Sequence, residues 1–192
     1  MAKLFGNLHL VLAIGLVAAL ALMFGVNDPS VTVSGSTIGR WLHLFFGVLW
    51  IGLLYYFNFV QVPAMPKIAD EHKPAVTKTI APSALFFFRW AALLTVVTGL
   101  WIAMVDGFLL DALSLAGPAK LNLIGAGMWM ALLMAFNVWF IIWPAQKKVL
   151  GIVDATADEK AAAAPRALIA SRLNTLLSFP MMYAMVNANM VA

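Results

Sequence analysis

The sequence predicts an all-α integral membrane protein: a bundle of five transmembrane helices, with the N-terminus cytoplasmic and the C-terminus outside. Three observations predict it. Apolar residues fill 64% of the 192 positions and charged residues only 10%, less polar surface than a soluble domain needs. Five stretches, about Leu8–Val26, Trp41–Val62, Leu85–Val105, Leu121–Trp143 and Leu173–Val191, approach the roughly 20 apolar residues that cross a hydrocarbon core about 30 Å thick. Nearly all the positive charge falls in alternate gaps between those stretches.

The first stretch follows Lys3 and invites comparison with a signal peptide. It is longer than a usual signal h-region, and Asn27-Asp28-Pro29 is a poor cleavage site, so a retained helix is expected. Ala13, Gly15, Ala18, Ala19 and Ala21 on it, and Gly125 and Gly127 on the fourth stretch, mark places where helices can approach closely. The loop after the first stretch is rich in Ser, Thr and Gly, and Val31-Thr32-Val33 suggests a short extended piece. The second loop carries Lys67, Lys73 and Lys78. Its Pro63, Pro66, Pro74 and Pro82 predict that no long helix crosses it. In the third loop, Phe108-Leu109-Leu110 and Leu113 predict a segment lying in the outer interface. The fourth carries Lys147, Lys148, Lys160 and Arg166, with Arg172 at its edge. Its run Ala161 to Ala164 predicts a short surface helix broken at Pro165. The fifth stretch is the least apolar, diluted by Asn174, Asn187 and Asn189.

The first and third gaps hold only Arg40 and Lys120, and the C-terminal tail holds no base. The positive-inside rule then sets the orientation, and an odd number of spans agrees with it. The net charge of +4 reports topology and contact with anionic lipid. The basic residues are scattered, which excludes a nucleic-acid partner. The chain has no cysteine, which excludes disulfides, thiolate metal sites and covalent c-type haem attachment. No repeat or second domain is visible, so residues 1–192 form a single membrane domain, an up-and-down bundle. The eleven methionines are spread through the spans as adaptable packing and do not form a copper site. Trp41, Trp90 and Trp143 sit where an aromatic belt is expected, whereas Trp50, Trp101 and Trp129 are expected inside the bundle or against a ligand.

Polar groups inside spans are costly and face partners. Asn58, Arg89, Asn137 and Asn174 fall near the cytoplasmic ends of four different stretches and can share one depth. Two readings of Arg89 stand: a snorkelling side chain, or a cationic centre for a flat anion with the three asparagines as hydrogen-bond donors. Each asparagine alone reads equally as a helix–helix hydrogen bond. Toward the outer half lie His43, Asn122, Tyr183, Asn187 and Asn189. At helical spacing His43, Gly47, Trp50 and Leu54 share one face, and a glycine one turn below a histidine leaves room for a flat ring. If a haem b is bound, His43 is its axial ligand, with Gly47 and Trp50 beside it, and the iron is five-coordinate or takes a second donor from Met181, Met182 or Met185 or from another chain. The alternative is a histidine bonded to a neighbouring helix.

Trp41-Leu42-His43, Gly47 and Trp50-Ile51-Gly52-Leu53-Leu54-Tyr55-Tyr56-Phe57 resemble the signature helix of the membrane domain of PuuD-type urate hydroxylases. Phe136-Asn137-Val138-Trp139 through Pro144, and Ser171-Arg172-Leu173-Asn174 through Met181, resemble later segments of that family, so the resemblance spans about residues 38–192. It implies urate oxidation in a membrane, with electrons passing to a cytochrome c domain. The chain carries no such domain, so a separate cytochrome c is the expected electron acceptor. The leading expectation is a membrane subunit of a larger redox or energy-converting complex, joined by other membrane subunits or copies of itself. The alternative is a membrane oxidoreductase acting on urate or a similar flat substrate. A second resemblance, to the haem-containing protoporphyrinogen oxidase HemJ, rests on Leu42-His43 with a downstream tryptophan, glycine and tyrosine, but lacks that helix's Pro-Arg. The expected location is a bacterial inner membrane.

Overall fold

The computed structural model describes residues 2–25 and 33–188. Every regular element in that range is helical. After a helical turn at Ala2–Phe5 come α1 (Leu8–Gly25), α2 (Gly35–Lys67), α3 (Lys73–Val105), the short α4 (Leu109–Ser114), α5 (Ala119–Val149) and α6 (Ala157–Asn187). Among the described residues, α1, α2, α3 and α5 are the helices long and apolar enough to cross a membrane. The chain is a membrane protein on that ground. The expected fifth span lies on α6, which has the length but not the composition, because Arg172, Asn174, Thr175, Ser178 and Asn187 interrupt its apolar run. Asn189 and Val191 lie outside the described residues, as do Asn27-Asp28-Pro29 and most of Val31-Thr32-Val33.

Prolines stop helices less than the sequence predicts. Helix α2 runs through Pro63, α3 through Pro82 and α5 through Pro144, and the chain leaves helix only over residues 68–72 in the second loop. Before each of these prolines the helix widens into a π turn, at Tyr56–Gln61, Val76–Ile80 and Asn137–Ile142. A proline lacks an N–H and crowds the carbonyl four residues back; a wider turn absorbs both defects without ending the helix. The break expected at Pro165 is also absent: α6 continues through Pro165 and Pro180. Its start is sharply defined by a capping box, in which Glu159 N–H donates to Thr156 Oγ1 at 3.2 Å and Thr156 N–H to Glu159 Oε2 at 3.0 Å. At the head of α2, Ser34 Oγ accepts from Thr37 N–H in the same role.

Helices α2, α3, α5 and α6 close into a four-membered ring. α2 packs along α3 and α5 along α6, while α3 also touches α5 and α6 touches α2. Trp50, Leu54, Phe88, Met134 and Val138 fill the centre. Bare glycines set the spacing. A Cβ on Gly125 would run into the Ala112 carbonyl oxygen, so the bare glycine is what lets α4 lie against α5 here. A Cβ on Gly127 would stand 3.0 Å from Ala184 Cβ of α6. Gly39 approaches Ile102 in the same way between α2 and α3. The segment expected at the interface is α4, with Ala112 buried and Leu110 exposed.

Helix α1 departs from its expectation. None of its residues is buried, and a Cβ on Gly15 would meet nothing within 4 Å. Gly15 therefore marks no close approach among the described residues. Its apolar residues run all round the helix, so no stripe selects a face for the bundle. Two tryptophans also depart from theirs. Trp50 is wholly buried, but Trp101 and Trp129 are 39% and 49% exposed. Depth along a span says nothing about which face a side chain takes.

Candidate functional site

Polar side chains gather at two levels of the ring. One lies toward the end marked by Lys67 and Lys147, the other toward the end marked by Arg40 and Lys120.

At the Lys67 end, Asn58 projects from the π turn of α2 and Asn137 from that of α5; both are buried, as is Asn174 on α6. Asn137 Nδ2 donates to Asn174 Oδ1 at 2.8 Å, and Asn174 Nδ2 donates to the Met134 carbonyl at 2.9 Å. Asn58 Nδ2 donates to Ser171 Oγ at 2.8 Å and to the Leu54 carbonyl at 2.9 Å. These bonds stitch α5 and α2 to α6. Arg89 takes a different place: its guanidinium lies 3.9 Å from the centre of the Trp143 ring and 5.4 Å from that of Phe86, and its carbonyl accepts from Trp139 Nε1 at 3.1 Å. Asn137 and Asn174 are thus brought together, Asn58 is joined to Ser171, and Arg89 is held by aromatic faces. Asn58 Oδ1, Gln61 Oε1 and Trp50 Nε1 are buried without a bond to any described residue.

At the Arg40 end the ring encloses a cavity of about 240 Å³, walled by all four of its helices. His43 of α2 lines it. Nδ1 of His43 stands 2.8 Å from the Thr95 carbonyl and 3.3 Å from Thr98 Oγ1. A carbonyl oxygen can only accept, so Nδ1 carries the proton and Nε2 keeps the lone pair. Nε2 makes no hydrogen bond to a described residue. Thr98 sends its own proton to the Leu94 carbonyl at 2.7 Å, which leaves its oxygen free to accept from His43. The imidazole rests on bare backbone: a Cβ on Gly99 would fall 2.8 Å from His43 Cε1. Arg40 Nη2 donates to Asp106 Oδ2 at 2.8 Å, joining the start of α2 to the end of α3, and Ser36 Oγ donates to the same oxygen at 3.0 Å. The Arg40 bond holds the Asp106 carboxyl below its ordinary range; partial burial opposes it and Ser36 adds to it. Lys120 lines the cavity as well and pairs with no described carboxylate.

The remaining polar residues of this half serve local structure. Asn122 Oδ1 accepts from Gly117 N–H, Asn187 Nδ2 donates to the Tyr183 carbonyl, and Tyr183 is exposed. Met128 and Met185 line the cavity, Met185 packing against the central core as well, and Met181 and Met182 belong to that core. The face His43, Gly47, Trp50, Leu54 does exist, but it is turned onto α3, and a Cβ on Gly47 would already meet the Thr95 methyl at 3.8 Å. His43 suits one axial bond to a haem iron, with Nδ1 oriented by a carbonyl as ligating histidines commonly are. The space does not suit the macrocycle: pockets for drug-sized ligands measure roughly 300–1,000 Å³, and this one is smaller. Among the described residues no group of three or more His, Cys, Asp or Glu side chains could hold a metal ion.

Sequence reasoning missed Thr95, Thr98, Gly99, the Arg40–Asp106 pair and Lys120. A signal was present. Thr95, Gly99, Ile102 and Asp106 recur at helical spacing on α3, small residues facing the bulky His43 and a carboxylate facing Arg40.

Taken together, the fold and its two polar levels define a helical membrane protein with a sealed asparagine level and a separate histidine-lined cavity. Residues 112–191 match the family described as "Urate oxidase N-terminal". That stretch, less than half of the chain, is similar to this family, and the match agrees with the resemblance of the chain's later segments. The match includes Asn137, Asn174 and Lys120 but does not reach His43, Asn58 or Arg89. No curated protein and no solved structure matches the chain.

Proposed function

We propose that this chain is a membrane subunit, related to the urate hydroxylase membrane domain, that works inside a larger redox or energy-converting complex of a bacterial inner membrane. The observation that carries the reading is α1: an apolar helix in which no residue is buried exposes apolar surface that suits lipid or another subunit. The family match over residues 112–191 supplies the redox part. In this reading α6 is the fifth span. Its polar side chains Asn174 and Ser178 are buried in the ring and bonded, so they impose little cost on a helix that membrane surrounds. The N-terminus is then cytoplasmic and the C-terminus outside. The absence of cysteine makes the orientation easy to test. Single cysteines at Lys160 and Lys120 should react with an impermeant maleimide from opposite sides, and labelling from one side would reverse or remove the topology. Native mass measurement in mild detergent tests the assembly: the chain should run with partners or with copies of itself, and a small, active monomer would sink the idea.

The family description favours a second reading, in which the chain oxidises urate or a similar flat anion and passes electrons to a separate cytochrome c. Urate-dependent oxygen uptake with soluble cytochrome c added tests it, and no turnover above a blank membrane removes it. Asn58, Arg89, Asn137 and Asn174 have the chemistry to hold such an anion, although all three amides are already engaged with neighbouring helices. A haem b on His43 has its own test, a reduced-minus-oxidised spectrum whose Soret feature disappears in His43→Ala.

A further inference from the structure

Three features of the His43 cavity bear on what it can hold. The imidazole spends Nδ1 on Thr95 and keeps Nε2 as an acceptor. Arg40 and Asp106 neutralise each other, so exposed Lys120 leaves the mouth with one unmatched positive charge among the lining side chains. Between these groups the wall is apolar and offers the ring of Phe108 and the thioethers of Met128 and Met185, surfaces that suit an aromatic ligand. An acceptor at one point asks for a donor; an unmatched cation at another asks for an anion. The volume admits a molecule of one or two rings.

We propose that this cavity binds a small planar anion carrying an N–H or O–H group, which donates to His43 Nε2 while the negative charge lies toward Lys120. The site is separate from the asparagine level, where the amide donors are already engaged with neighbouring groups. It deepens the urate-oxidising reading by giving its substrate class a place, and it rests on that reading only for the choice of urate as a probe.

Isothermal titration of the full chain in mild detergent tests it with four probes: urate, 4-hydroxybenzoate, benzoate and phenol. Urate and 4-hydroxybenzoate should bind. Benzoate, which lacks the donor, and phenol, which lacks the charge near neutral pH, should each bind at least tenfold more weakly than 4-hydroxybenzoate. His43→Ala should weaken urate at least tenfold. So should Gly99→Ala, whose new Cβ would stand 2.8 Å from His43 Cε1 and displace the ring. Lys120→Gln changes an exposed side chain and keeps the test valid should His43→Ala fail to fold; it too should lose tenfold. The proposal is overturned if no probe binds, if all four bind alike, or if Lys120→Gln and Gly99→Ala leave urate affinity unchanged. It is also overturned if Arg89→Lys abolishes binding while Lys120→Gln does not, or if the purified protein shows a His43-dependent Soret band. Binding as described without urate turnover upholds the site and removes only the enzymatic reading.

Discussion

The two polar levels of the ring use the same kind of side chain to opposite ends. At the Lys67 end each asparagine amide donates to a neighbouring side chain or backbone carbonyl, and these bonds tie α2 and α5 to α6. At the Arg40 end, one half of the histidine is bonded, the other half is not, and a cavity remains beside it. Hydrogen-bonding groups in a membrane bundle thus serve cohesion where they are mutually satisfied and recognition where one partner is left over. The Lys67 level should therefore govern stability and the Arg40 level should govern binding.

Asn174→Ala is expected to break the comparison most severely if it is wrong. The change strips a wholly buried side chain that links Asn137 to the Met134 carbonyl. Leaving those groups unpaired should cost about 1–3 kcal/mol, read as a lower midpoint in denaturing-detergent titration followed by circular dichroism. A midpoint unchanged from wild type would mean the asparagine level is not cohesive. Ser171→Ala should cost less, about 0.5–1.5 kcal/mol, because Asn58 keeps its bond to the Leu54 carbonyl. The same titration checks it, and a loss larger than that of Asn174→Ala would reverse the order of the two bonds.

Arg89→Gln removes the cation over Trp143 and should cost about 0.5–1 kcal/mol, visible also as a change in tryptophan emission. His43→Ala sharpens the contrast from the other level. With the imidazole gone, the Thr98 hydroxyl can turn its one proton from the Leu94 carbonyl to the Thr95 carbonyl, 3.1 Å away, so the stability change should stay within about 1 kcal/mol while ligand affinity falls. A large loss of stability would make His43 a structural residue.

The smallest effect expected is on pH dependence. The Asp106 carboxyl is held below its ordinary value by Arg40, and the Glu159 carboxyl by Lys148. A carboxyl with a depressed folded value contributes stability that is fully present above its unfolded value and is lost as pH falls through the depressed one. Melting temperature should thus be flat near neutrality and fall only in acid. Asp106→Asn should flatten part of that fall, and an unchanged acid profile in Asp106→Asn would remove the bridge as a contributor.

Much of the architecture was legible in the residues because hydrocarbon imposes a length and a composition that can be read directly. The cores of α1, α2, α3 and α5 lie where apolar runs predicted them. Gly125 and Gly127 mark close approaches because a missing Cβ has the same meaning in any helix pair. The prolines misled, since their cost depends on whether a π turn can absorb the missing donor, and Pro63, Pro82 and Pro144 are each preceded by one.

The sequence by itself determined that this chain is a membrane protein of long apolar helices, that Asn58, Asn137 and Asn174 need partners, and that His43 lies toward the outer half of a span. Those conclusions follow from composition and from spacing along one helix, which are local properties. Only the tertiary structure decided that Asn137 meets Asn174, that Arg89 lies on Trp143 and that no residue of α1 is buried. It alone decided that Thr95, Gly99 and Lys120 join His43 around one cavity. Each of these depends on which face of a helix turns toward which neighbour, and that choice is made by packing between helices far apart in the chain.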